Sequence, residues 1–366
     1  MEKKQNDASR NNATLITHGS ASLPSVTIDG YNLELRDKNG FIGDRASKSA
    51  FQAKLNEWRQ RIRNGGDDPL GDVATKDMSK KQIDALLTGD NKEAAALVMG
   101  AVEDFAGELG HVLGKFLKQD SWKGTERIVV GGGLKESGFG ELAIARAMVL
   151  LKSEGFKVEL TPIAHHPDEA GLIGAAHLMP GWMLEGYDAI LAVDIGGTNI
   201  RAGIVEMRLK EHADLSRASV WKFDLWRHAD EAPKRSATVE RLARMLESLI
   251  RKAEKANLTL APVIGIACPG VIESDGSIAR GGQNLPGGNW ESEKFNLGEA
   301  LTKAIPQIGS HDTLVVIHND AVVQGLSQTP FMQDTKKWGV VTIGTGLGNA
   351  RFTNKAPKEN SDKSKT

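Results

Sequence analysis

The sequence predicts an α/β protein of two lobes, and three observations carry that reading. Strand-like apolar runs alternate with helix-like amphipathic stretches along most of the chain. Two strand–turn–strand segments, with GGT at 196–198 and GTG at 344–346, echo each other and suggest two related lobes. The length of 366 residues accommodates two domains at roughly 100–200 residues apiece.

Taken in order, residues 25–36 alternate partly and read as strand. Phe51, Leu55, Trp58 and Ile62 recur at helical spacing and predict an amphipathic helix over 48–63. The run NGGDDPLGD at 64–72 is a loop, and 79–87 is a short helix with Ser79 as a candidate N-cap. A long helix fills 90–118, and IVV at 128–130 is a short buried strand ended by GGG at 131–133. Helix is expected at 138–153, strand at 157–163, and helix at 167–179 with Pro167 in its first turn. ILAVDI at 190–195 and AGIVEM at 202–207 flank GGTNIR as a hairpin. A charged amphipathic helix follows at 236–256, then strands at 262–270 and 313–320, and a second glycine hairpin at 339–354. Residues 1–13 and 354–366 are polar and read as frayed tails.

Composition narrows the function classes. Lys and Arg number 46 against 47 Asp and Glu, a formal charge of −1, which argues against a polybasic nucleic-acid binder. A single cysteine, Cys268, rules out an intramolecular disulfide framework and a Cys-rich zinc site, and reads as a small packed residue. No run reaches the ~18 apolar residues of a membrane span, and the first residues hold no apolar signal core. No membrane partner is therefore expected, and a cytoplasmic address is expected by default. His165 and His166 lack the spacing of a metal pair; Pro167, Asp168 and Glu169 read better as the start of a helix.

The glycines are where chemistry concentrates. Turns of this kind expose successive N–H groups as an anion nest. In DIGGTN an acid stands beside such a turn, which is electrostatically odd unless a cation separates acid from phosphate. Asp194 with Gly196, Gly197 and Thr198 thus reads as a Mg-nucleotide site or, more plainly, as a hairpin with a capping Asp. GTGLGN at 344–349 reads as a second phosphate turn or as an ordinary hairpin; no Gly-Lys-Ser/Thr follows, so it is not a Walker A loop. VVGGGL at 129–134 suits close approach by a flat ring or a phosphate, or tight strand-to-helix packing. HND at 318–320 ends an apolar strand, where a carboxylate is placed to take a hydroxyl proton as general base, or to cap the next helix.

Together AVDIGGTNIRAGIVE, IGIACPGVIESDGSI, GGQNLPGGNW, VVIHNDAVVQG, GVVTIGTGLGNA, IVVGGGL and DEAGLIGAAHL resemble the ROK family (repressors, open reading frames and sugar kinases) of the sugar kinase/actin/heat-shock ATPase superfamily. The resemblance covers about 90–353 and implies a two-lobed, actin-like (ribonuclease H-like) fold with a cleft between lobes. The motif order is unusual. In the family the DIGGTN-like hairpin comes first, whereas here GGG and AGLIGAA precede it. The chain therefore resembles a circular permutant broken near residue 353, with PGWMLEGY at 180–187 joining the family's last helix to its first strand. The larger lobe is expected to hold 14–165 and 320–353, and the smaller lobe 166–319.

The resemblance also implies roles. Asp194, Gly196, Gly197, Thr198 and Asn199 match the first phosphate motif, with Asp194 on Mg²⁺ through water. Gly344, Thr345, Gly346 and Gly348 match the second, and Gly131, Gly132 and Gly133 the adenosine-side motif. Asn319 and Asp320 match the sugar-contacting Asn and the catalytic Asp; Pro269, Gly270, Asn284 and Leu285 match the sugar-side wall. Asp194 and Asp320 are expected to face each other from opposite walls of one groove. The implied activity is glucokinase-like transfer of phosphate from ATP·Mg²⁺ to a hexose hydroxyl, in a family that often forms homodimers. The family's Glu-x-Gly-His and Cys-rich zinc segments are absent, so no zinc is expected; Glu34, Asp37 and Asp44 are the acids in the corresponding stretch. Loss of that segment favours the rival reading, a non-catalytic sugar- or nucleotide-binding regulator. Repressor relatives carry a helix-turn-helix, which is not found here, and no nucleic acid is expected. An actin-like assembly protein would lack the Asn-Asp pair.

Overall fold

The computed structural model describes residues 17–356; the N-terminal tail 1–13 and most of 354–366 lie outside them. Two five-stranded sheets form the frame. The first holds β1 (Val26–Tyr31), β2 (Arg127–Gly131), β3 (Glu159–Pro162), β9 (Lys337–Ile343) and β10 (Leu347–Asn354), in the order β1-β10-β9-β2-β3. The second holds β4 (Ala189–Ile195), β5 (Ile200–Glu206), β6 (Ser219–Trp226), β7 (Leu260–Cys268) and β8 (Leu314–Asn319), in the order β8-β7-β4-β5-β6. Both sheets repeat one pattern. A hairpin (β4–β5, β9–β10) pairs antiparallel with a third strand on one side, and two parallel strands extend the other side. The echo between the two glycine hairpins is thus an echo between whole sheets.

Chain order separates them. In the second sheet all five strands follow in sequence, whereas β1 comes from the far end of the chain to complete the first. Val26 of β1 pairs with Asn354 of β10, and the Lys355 N–H donates to the Ser25 carbonyl at 3.0 Å. Asn354, assigned to the tail by its polar neighbourhood, is the last residue of a strand.

The helices match the periodicities. They are α1 (Lys48–Arg63), α2 (Lys80–Thr88), α3 (Lys92–Leu117), α4 (Gly138–Ser153), α5 (Pro167–Ala175), α6 (Arg235–Lys255), α7 (Leu297–Ala304) and α8 (Asp320–Leu326). Ser79 caps α2 in a full capping box with Gln82, and Pro167 stands in the first turn of α5. On α1 the apolar stripe turns off course. Phe51 and Leu55 are buried but Ile62 is exposed, and Arg59 is buried instead. Its guanidinium bonds Asp68, Gly71 O, Val73 O and Thr75, gathering the 64–78 loop around one cation. Such a charge is tolerated inside only because every arm has a partner.

Three cores follow from this layering. One packs α1, α3 and α4 on the outer face of the first sheet, and another packs α6 and α7 on the second. The third lies between the sheets and is filled by α5 and α8. Those two helices touch closely because Gly174 has no side chain: a Cβ there would stand 1.7 Å from the Val323 carbonyl oxygen. Gly174→Ala should push α5 off α8 and lower stability by about 2–3 kcal/mol, read as a reduced urea midpoint with little change in slope.

Candidate active site

The site grows from strand ends. β4, β7 and β8 run parallel and side by side, with Asp194 opposite Ala267 and Asn319 opposite Cys268. Their C-terminal ends therefore finish at one level. Asp194, the Cys268-Pro269-Gly270 turn and Asn319-Asp320 emerge together, and the two acids stand two strands apart, about 10 Å at the usual inter-strand spacing. This corrects the sequence expectation that they face each other from opposite walls: both belong to the same edge of the second sheet. Parallel strands deliver such convergence, since ligands of open α/β sheets gather at carboxyl ends.

Asp194 is buried, with 4 % of its surface exposed. Burial raises its carboxyl above the ordinary range, Arg201 opposes that, and Asp168 adds to it. Arg201 lies directly across the hairpin from Asp194 and reaches it at 3.4 Å, while also bonding Asp168 at 2.5 Å. Its buried Nε has no hydrogen-bond partner among the described residues. Gly171 of α5 makes room for the acid, as a Cβ there would lie 2.7 Å from the Asp194 carboxyl carbon. Arg201, Asp168 and Gly171 escaped assignment to the site from sequence. The available signal was hairpin symmetry: a turn at 196–199 puts 201 opposite 194.

Asp320 opens α8 and is part-exposed. Desolvation, then the charge of Asp194, push its carboxyl up to about 6, against the opposing N–H of Ala321. Asn319 behaves differently from a free substrate ligand. It is buried, its Oδ1 caps α8 by accepting from the Ala321 and Val322 N–H groups, and its Nδ2 donates to Gly270 O at 2.9 Å. Gly270 has φ +103, and a Cβ would strike the Arg280 carbonyl at 2.5 Å. Cys268 is buried beside both acids, and its thiol is pushed well up by burial.

The two glycine hairpins are open turns. Gly196 N–H closes onto Asn199 O at 2.9 Å, and His228 braces the turn through Gly196 O. Gly197 is exposed, with Thr198 and Asn199 half-buried. In the other hairpin the Gly344 N–H closes onto Gly346 O, Gly344, Thr345 and Gly346 are exposed, and Gly348 sits against Thr342 and Ala321. Because Ala321 is on α8, that contact brings the second hairpin beside the helix that Asp320 begins. The GGG cluster divides. Gly132, at φ +88, is required by packing, since a Cβ would lie 2.1 Å from Ile343 O, whereas Gly133 meets only the Lys80 ammonium. Asn284 is exposed next to Gly197, but Leu285 points into the core. In the 31–47 stretch, Glu34 pairs with Arg36, Asp37 with Arg45, and Asp44 sits in a short 3-10 turn. His166 pairs with Glu136 and caps α5.

The raised Asp320 carboxyl has a consequence for stability. The folded state holds its proton to higher pH than the unfolded chain does, so this group's contribution is present near pH 4 and is lost as pH rises through about 6. Asp320→Asn should therefore stabilise the protein at pH 7.5 by about 1–3 kcal/mol, discounted for its partial exposure. At pH 4 it should change little, and thermal melts at the two pH values check the difference.

Residues 190–359 match the family model described as the ROK family. Among solved structures, the chain is similar to a candidate sugar kinase from Cytophaga hutchinsonii at 20% identity (45% of this chain, 48% of that one, TM-score 0.34). It is similar to a candidate N-acetylmannosamine kinase from Listeria monocytogenes at 24% identity (45% and 47%, TM-score 0.32). It is also similar to a ROK hexokinase from Thermus thermophilus at 22% identity (44% and 45%, TM-score 0.29). Each match spans just under half the length of the solved chain. No curated protein matches. The matched stretch, residues 190–359, opens on the strand bearing Asp194 and takes in both glycine hairpins.

Proposed function

We propose that the protein is an ATP-dependent sugar kinase, with Asp320 as the general base toward a hexose hydroxyl. The observation that carries this is the shared sheet edge. One level holds a buried acid beside an open glycine turn, Asp194, and a second acid held near neutral pKa, Asp320. Asp194 would hold Mg²⁺ through water, and the 196–199 and 344–348 turns would cradle the phosphates of ATP, with Gly133 on the adenosine side. The fit rests on a buried carboxylate contacted by Arg201 and on turns exposed at Gly197 and Gly346. Bound Mg²⁺ supplies charge neutralisation at the phosphates.

The chain's own residues do the rest. Asp320, ionised above its pKa, accepts the proton of the attacking hydroxyl. Its Oδ1 accepts from Ala321 N–H, which fixes the carboxylate. Asn319 holds the strand end in place through Gly270 O and the first turn of α8. Closure of the two lobes (about 14–165 with 320–353, and 166–319) would exclude water, the competing acceptor.

The chain order supports a circular permutation of the family fold. The first sheet repeats the second strand for strand once Lys355 is followed by Ser25, and these residues are already hydrogen-bonded. A homodimer and a cytoplasmic address complete the reading. The second reading, a regulator that binds sugar without turnover, draws on the absent Glu-x-Gly-His: of the acids in the corresponding stretch, Glu34 and Asp37 are paired with arginines.

A panel of hexoses and amino sugars with ATP·Mg²⁺, read as ADP release, decides between them; release with one sugar is expected, and sugar binding without release selects the regulator. Asp320→Ala should cut kcat by at least about 100-fold, in the range of losing a general base, with nucleotide affinity unchanged; equal activity removes Asp320 from the role. In the wild type, kcat/KM should fall tenfold per pH unit below about 6, as Asp320 protonates.

A further inference from the structure

The segment just before β1 makes contacts that its loop-like sequence does not announce. Ile317, on the outer edge of β8, is bonded on both sides by it: the Gly19 N–H donates to Ile317 O at 3.0 Å, and the His18 Nδ1 accepts from Ile317 N–H at 3.1 Å. Gly19 fits because it lies at φ +57 against the Ile272 carbonyl, where a Cβ would stand 2.1 Å away. The same segment then folds onto the first sheet, with Ala21 O accepting from Ile28 N–H and the Leu23 N–H donating to Val26 O. Residues 18–23 therefore tie the edge of the second sheet to the edge of the first.

His318 connects this tie to Asp320. It is the one polar side chain in the run LVVIH before Asn319, and it is 1 % exposed. Its Nδ1 accepts from the Asn319 N–H at 2.7 Å, and an amide N–H only donates, so Nδ1 carries no proton. The proton is on Nε2, which faces the Ser20 carbonyl, an acceptor, at 3.2 Å. Burial lowers the imidazole to about 4 and keeps it neutral. The Tyr31 ring meets it edge-on, 5.3 Å between centroids, and the Tyr31 hydroxyl accepts from Ile272 N–H at 3.3 Å. An apolar residue would fill the same space without the desolvation cost of an imidazole.

We infer that residues 18–23 and His318 form a clasp that positions Asp320, with His318 as a positioning residue that transmits the hold on Ser20 to the backbone of Asn319. The inference deepens the kinase reading and rests on it for the meaning of Asp320, but the clasp has its own readout. Misplacing a base by an ångström costs on the order of 100-fold, so the strand end that bears it benefits from being held from both sheets.

The test uses the full chain with His318→Leu, His318→Asn, Gly19→Val and the Leu/Val double variant. In His318→Asn the side-chain oxygen replaces Nδ1 as acceptor for the Asn319 N–H. Amide exchange at Asn319, Ala321 and Val322 should quicken at least about tenfold in His318→Leu and Gly19→Val, with Gly344–Gly348 unchanged. Where turnover is measured, kcat should fall at least about tenfold in both His318→Leu and His318→Asn with KM for ATP constant, because neither side chain carries the Nε2 donor that reaches Ser20. The double variant should lose no more than His318→Leu alone, the non-additivity of two groups in one linkage. Unchanged exchange at 319–322, or additive losses in the double variant, overturns the clasp. Quickened exchange in a protein that turns over no sugar supports the clasp and overturns only the kinase reading. Should Gly19→Val fail to fold, His318→Asn still decides: it keeps the acceptor for the Asn319 N–H but loses the donor to Ser20, so wild-type turnover and exchange in it overturn the clasp.

Discussion

Parallel pairing of β4, β7 and β8 is the constraint on which the rest depends. A parallel ladder lets three strands from distant parts of the chain end at one level, and here those ends carry Asp194, the Pro269-Gly270 turn and Asn319-Asp320. Two carboxylates brought to one partly desolvated edge raise each other's cost of ionisation. The protein meets that cost unequally. Asp194 has Arg201 across the hairpin, whereas Asp320 is met by hydrogen-bond donors, the Ala321 N–H first among them, and its carboxyl is pushed up to about 6. Burial raises both carboxyls, and the Arg201 guanidinium opposes that rise at Asp194.

Holding the edge open requires close helix packing behind it. α5 and α8 fill the space between the sheets, and two glycines of one helix make the fit: Gly171 faces Asp194 and Gly174 faces α8. A methyl group at either would displace the helix or the acid. The motif AGLIGA is therefore a packing device with a direct bearing on the site, although none of its atoms needs to touch a ligand.

Much of this was legible in the sequence, for identifiable reasons. Helices with a strong apolar period, such as α1, α3 and α4, and buried strands bounded by glycine, such as β2 and β9, stand near their expected limits. β6 escaped notice because it is an edge strand whose exposed residues, Trp221, Lys222 and Leu225, break the alternation of a half-buried strand. α7 is short, and its apolar residues are too few to establish a period. Within the site, residue type pointed to Asp194 and Asp320 but not to their geometry, since placing both on one sheet edge needs the pairing partners of β7. At Leu285 and Asn319 the motif suggests ligand contacts, while the structure shows the Leu285 side chain in the core and the Asn319 side chain capping α8. Motif spacing marks where a chain turns toward a site, and only the three-dimensional partners tell which side chains remain free there.

The position of the chain ends gives the tie between the sheets its physical logic. Were β10 to run directly into β1, as β5 runs into β6, a short connection would close the first sheet and nothing would precede β1. Because β1 enters from the other end of the chain, residues before it are free to follow another course, and 18–20 pair with the exposed edge of β8. An unpaired edge is a liability in any sheet, so covering Ile317 is favourable in itself. The covered stretch lies three residues from Asp320, and His318 turns edge protection into a hold on the residue before that acid. The separate entry of β1 thereby supplies a contact that a contiguous sheet has no segment to make.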